Sequence, residues 1–308
     1  MTANAIPEAR LQAQARPAAA IPLARSFYWA VRRELWENRL IYLAPLGVGA
    51  LFLFGFAISS IHLPQKMRAI MALDPIHQRP ALAVHYDIAS GLAMLVMMVV
   101  GTFYCLDALY GERRERSTLF WKSLPVSDTM TVLAKASIPY VVLPLIAFAV
   151  AAVIQLLMLL VSSALLAASG QSAGTLWTLL SLPRMLVLLL YHLLMGHVLW
   201  HAPFYAWFLM VSAWARRTPF VWAFLPPIAV CFLEKIIFNS THFLGVLQYR
   251  LEGNGMDVLL TQGRFPIHPM TQMTPLRYLS SAGLWTGLVV AAAFLIVAIR
   301  LRRYRGPI

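Results

Sequence analysis

The side chains best suited to chemistry are three histidines in one apolar stretch, His192, His197 and His201. His197 and His201 are four apart, so on a helix they share a face, a spacing that can hold a metal or, across helices, a haem. Two imidazoles make an incomplete ligand shell, and no Asp, Glu or Cys stands near them in the sequence to complete it. Two other roles fit the same residues: polar groups facing a bundle interior, or side chains lining a substrate route. Glu234 and Lys235 also interrupt an apolar run. Ionisable residues in such a run face protein or water. Neighbours on a helix point about 100° apart, so each is expected to pair with another helix or reach the interface, where gating of an external mouth is a possible role. Asp107 stands one turn before a basic run and is expected to pair with Arg113 or Arg114. The chain has no nucleophile elbow and no paired-carboxylate motif, and His197-x-x-x-His201 lacks the Glu of the zinc-protease signature. It also lacks the Gly-rich phosphate loop of an ATPase. Catalysis by this chain, and a metal or other cofactor bound to it, are therefore not expected.

The elements that carry these residues are membrane spans. Of 308 residues 60% are hydrophobic and 12% charged, which reads as a polytopic all-α integral membrane protein rather than a soluble domain. The net charge of +13 is accounted for by positive-inside loops and anionic headgroups, so nucleic-acid binding is not expected. Cys105 and Cys231 both fall in apolar runs, where a thiol behaves as a small apolar group. Residues 1–25 read as a disordered tail with no apolar core of signal-peptide length, leaving targeting to the first span. Residues 26–308 form a single transmembrane domain. From Ser26, the residues Phe27, Tyr28, Val31 and Leu35 make one helical stripe, with Arg32, Arg33, Glu34 and Asn38 mostly elsewhere. Trp29 and Trp36 at its margins suggest an interfacial helix.

Six spans follow, at about Ile41–Ile61, Tyr86–Tyr110, Ile138–Leu166, Leu179–Trp214, Phe220–Phe238 and Gly283–Ile299. The third places Pro139 and Pro144 in its first turns. The fourth is too long for one straight span, with Pro183 and Pro203 marking a lead-in and a kink. External loops are expected from His62 to His85, from Ala167 to Thr178 and from Asn239 to Ala282. Arg and Lys cluster in the remaining loops and after the last span, which puts both termini in the cytoplasm of a multi-pass inner-membrane protein.

The strongest charged run between the spans is Gly111 to Lys135. Leu119, Phe120, Trp121 and Leu124 would gather on one face of a short helix, which Pro125 ends. Ser127 or Asp128 can cap the next. This run resembles the loop between the second and third spans of ABC-2 type exporter permeases, through Glu115, Arg116, Ser117, Thr118, Leu119, Leu124-Pro125-Val126-Ser127 and Lys135. It departs at Ser117, where Gly is common, and at Phe120, where Glu is common. The six-span layout matches that family over nearly the whole chain after residue 25.

The resemblance implies a cytoplasmic coupling helix (Glu115, Arg116, Leu119, Phe120, Trp121, Leu124, Pro125) docking on a separate ABC ATP-binding subunit that carries ATP and Mg. It also implies an N-terminal elbow helix and a second permease copy, identical or paralogous, in the lipid bilayer. The function it implies is the permease subunit of an ATP-driven exporter. A histidine-ligated membrane redox or metal protein, and a membrane anchor without transport, are the alternatives.

Overall fold

The computed structural model describes residues 22–115, 127–252 and 275–305. These residues are helical, with no strand among them. The first helix, α1 (Leu23–Glu37), stops at Asn38, whose side chain donates to the Glu34 carbonyl. Next come α2 (Leu40–Ser59), a tight turn at 60–62 and α3 (Leu63–Met71), together one run of 32 residues. Helix α4 (Pro75–Ala108) follows at once. The external loop expected from His62 to His85 is therefore helical over most of its length. Within that segment Pro64 and Pro75 occupy first helical turns, where a missing N–H costs nothing, and Pro80 lies inside α4.

Helix α4 breaks at Leu109 before a one-turn helix, α5 (Tyr110–Arg114). After the break the N–H groups of Leu109 and Tyr110 donate to Ser212 Oγ at 3.0 and 2.9 Å, so the interruption leaves neither unsatisfied. Helix α6 (Asp128–Ser137) is capped by Ser127, which accepts from Met130 N–H at 3.2 Å. It runs through a widened π turn at 138–142 into α7 (Leu143–Ala168). The third span thus starts ten residues before the expected Ile138. Pro139 lies inside it, and the π turn accommodates its absent N–H.

The chain turns at Gly170, with φ 75°. It continues through α8 (Gly174–Leu179), α9 (Leu182–Tyr191), a π stretch at 192–200 and α10 (Ala202–Trp214). The break between the last two falls at His201, beside Pro203 in the second position of α10. Left-handed residues Thr218 (φ 44°) and Asn239 (φ 46°) bracket α11 (Pro219–Phe238). Within the expected external segment from Asn239 to Ala282, α12 (His242–Glu252) and α13 (Pro275–Leu279) are helical. The last helix is α14 (Ala282–Tyr304), capped by Ser281.

Among the described residues, six helical stretches are long and apolar enough to cross a membrane. The main core lies where α4, α7 and α10 meet, around Met97, Cys105, Leu143, Ala147, Tyr205 and Leu209. A second core, around Phe56, Met67, Tyr86, Met158 and Leu166, joins α2, α3, α4 and α7 at the other end. Helix α14 packs along α10 through Ala291, Ala202 and Ala206, whose short side chains permit a close approach. Helix α11 buries only Ala223 among its residues and is otherwise largely exposed to the surroundings.

Candidate functional site

At the end of the bundle bordering residues 116–126, charged side chains from four helices converge in the interior. Glu34 of α1 and Lys135 of α6 are both 2% exposed. The Lys135 ammonium lies 2.8 Å from one Glu34 oxygen and 3.1 Å from Glu112 of α5. Glu112 also meets Arg33 at 3.0 Å and pairs through its other oxygen with Arg302 of α14. Arg302 in turn donates from Nε to Asp128 at 3.2 Å. Tyr104 of α4 donates its hydroxyl to the second Glu34 oxygen at 2.8 Å. Glu34, Glu112 and Asp128 thus offset Arg33, Lys135 and Arg302, so the cluster is close to neutral.

Burial opposes the charge on Arg33, yet the Coulombic pull of Glu34, Glu37 and Glu112 raises its pKa above the usual arginine value. Burial acts on Glu37 too and lifts its carboxyl above the ordinary range, against the pull of Arg33. Buried charges of this kind are tolerated only when paired and hydrogen-bonded on all sides. Removing one member strands the rest.

Neighbouring contacts tie in α10. Arg113 donates to the carbonyls of Ala213 and Ala215 at 2.6 and 3.1 Å, meeting acceptors that the end of α10 leaves free. Arg305 donates to the Trp214 carbonyl. Asp107 is exposed and is not the partner of Arg113 or Arg114: Arg113 turns to α10, and Arg114 meets Glu115 at 3.4 Å. The carbonyls of a helix end hold Arg113 more firmly than an exposed carboxylate one turn away.

Of the expected docking residues, Glu115 is exposed, in a surface pair with Arg114. Arg116, Leu119, Phe120, Trp121, Leu124 and Pro125 lie outside the described residues. Glu115 and Ser127 mark where the chain leaves and re-enters the described structure, close in sequence to Glu112 and Asp128 of the ion cluster.

The histidines do not converge on an open ligand site. His192 donates Nδ1–H to the Leu188 carbonyl at 2.8 Å, and His201 donates likewise to Gly196 at 2.7 Å. His197 is buried and shares a hydrogen bond with the Tyr205 hydroxyl. The His197 and His201 rings are 5.3 Å apart and tilted by 34°. Tyr205 also lies against Tyr140, whose hydroxyl donates to the Ala202 carbonyl at 2.7 Å. Gly101 makes room for the Tyr205 ring, since a Cβ there would come within 2.8 Å of it. Both π segments flank this cluster, and it sits in the main core. Among the described residues no group of three or more His, Cys, Asp or Glu is arranged to hold a metal.

Glu234 accepts from Ser240 Oγ at 2.7 Å and from the N–H groups of His242 and Phe243, each at 2.8 Å, so it caps the start of α12. Lys235 beside it is exposed.

Sequence reasoning missed the ion cluster as a unit. It placed Glu34 off the apolar stripe of α1 and Tyr28 on it; Tyr28 is exposed, and Glu34 faces inward beside Val31 and Leu35. A charge three residues after Val31, on the face that carries Phe27, is the signal that was available. Comparison of the chain with protein-family models, with curated proteins and with solved structures gives no match.

Proposed function

We propose that this chain is the membrane-embedded permease subunit of an ATP-driven exporter of the ABC-2 type. It works as a pair of permease chains with a separate ATP-binding subunit that carries ATP and Mg. Both termini and the segment 116–126 lie on the cytoplasmic side of the inner membrane, where the basic residues gather.

The observation that carries the reading is the ion cluster at the base of that segment. Helices α5 and α6 lead into and out of 116–126, and Glu112 and Lys135 lock them to each other, to α1 and to α14. A partner pressing on Leu119, Phe120, Trp121 and Leu124 would move this block as one piece. The push would pass into α4 and α7, which are long enough to carry it across the bilayer. Helix α1 is the elbow helix in this reading, pinned from inside by Glu34 and presenting Trp29 and Trp36 to the headgroup layer.

The test is purification from the native host in a gentle detergent, with mass spectrometry of what accompanies the chain. A stoichiometric ATP-binding protein that is lost on Leu124→Arg supports both the function and the docking site. If none is found while other membrane complexes survive the same conditions, the reading fails.

A further inference from the structure

Away from the ion cluster, at the opposite end of α14, lies a half-buried cation with a different character. Arg250, near the end of α12, reaches across to the first turns of α14. Its Nη2 donates to the Gly283 carbonyl and faces the Thr286 hydroxyl at 3.4 Å. The guanidinium lies flat against Gly287, where a Cβ would approach within 2.5 Å of Nη1. Its carbon stands 4.8 Å from the centre of the Trp200 ring. Tyr249 and Tyr278 pack edgewise on the same indole at 5.1 and 5.4 Å. Burial pushes the Tyr278 hydroxyl up to about 12, so it stays protonated as a hydrogen-bond donor.

Two features bear on what this place could hold. No Asp or Glu among the described residues pairs with Arg250, unlike the neutralised cations of the ion cluster. Two buried donors also have no acceptor: Arg250 Nη1, and Nε1 of Trp200, a residue only 1% exposed. Unmatched buried donors are costly. A group with negative oxygen atoms is the acceptor such donors call for. Arginine suits it, because its planar fork matches phosphate and carboxylate geometry.

We propose that Arg250 and Trp200, walled by Tyr249 and Tyr278, form a binding site for an oxyanion, the phosphate or carboxylate head of a small molecule or lipid. The two orphan donor atoms themselves are screened from the surface, while Tyr249 is exposed and Tyr278 half-buried, so a head group reaches the donors by displacing these outer rings. The proposal does not depend on ATP coupling, and failure of the exporter reading leaves it standing.

The test is thermal unfolding of the full-length protein, followed by tryptophan fluorescence, in two arms. In detergent, sodium phosphate is compared with sodium chloride at equal ionic strength. In lipid nanodiscs, phosphatidic acid is compared with phosphatidylcholine. A ligand that binds only the folded state raises Tm, so a rise of a few degrees is expected in at least one arm. A rise with free phosphate identifies a soluble oxyanion as sufficient, and a rise confined to phosphatidic acid identifies a lipid head group. Trp200→Phe keeps an aromatic ring and removes the N–H together with part of the indole, and Arg250→Lys keeps the charge and removes the fork. Both are expected to reduce the rise to half or less. No rise in either arm, or a rise that both variants retain in full, overturns the proposal.

Discussion

At the residue scale, the cluster around Lys135 carries most of the energetic risk in this molecule. Lys135→Met leaves Glu34 and Glu112 without the ammonium between them. Breaking a buried ion pair by removing one partner costs about 3–5 kcal/mol, so a large fall in unfolding temperature in detergent is expected. Adding Glu34→Gln removes one stranded charge and should recover part of that loss. If the single substitution leaves stability unchanged, the cluster is not the buried, fully paired unit described above. Gly101 offers an independent check. Gly101→Val pushes side-chain atoms into the Tyr205 ring, which a Cβ alone already approaches within 2.8 Å. Overpacking of this kind costs about 1–3 kcal/mol, again readable as a fall in unfolding temperature. Residue roles were the least legible part of the sequence. The stripe rule shows which positions of α1 turn inward, but it weighs a glutamate as a surface residue. Beside its neighbour Arg33, the partners supplied by α4 and α6, Tyr104 and Lys135, 70 and 101 positions away, make Glu34 tolerable inside.

At the scale of elements, apolar runs of span length gave the six membrane-length helices nearly where they stand, and their ends were the weaker part. Prolines account for most of the misreadings. Pro64 and Pro75 fall in a segment whose composition suggests a loop, whereas a proline in a first helical turn is compatible with starting a helix. Pro139 suggests the first turn of a span, whereas the π turn absorbs it inside a continuous helix. Glu234 shows why an ionisable residue near a span end is ambiguous: its carboxylate closes the start of the following helix. Glu234→Ala removes the carboxylate that accepts from the first N–H groups of α12 and loosens the start of that helix. The expected outcome is faster amide hydrogen exchange confined to residues 242–252. Unchanged exchange there would argue against the capping role and return attention to a role at the external mouth.

At the scale of the whole molecule, the arrangement gives the proposed coupling a mechanical form. The segment 116–126 joins two helices whose roots are fixed by charge, and those charges also hold α1 and the end of α14. A movement imposed on the segment should therefore appear in all four places together. Hydrogen exchange by mass spectrometry on the complex purified from the native host, with and without ATP, reads this directly. The account predicts that ATP changes exchange concertedly in residues 110–115, 128–137, 23–37 and 300–305, and that Lys135→Met uncouples 23–37 from the rest. If ATP leaves all four segments unchanged, or alters one while the intact cluster leaves the others as they were, the central claim is wrong.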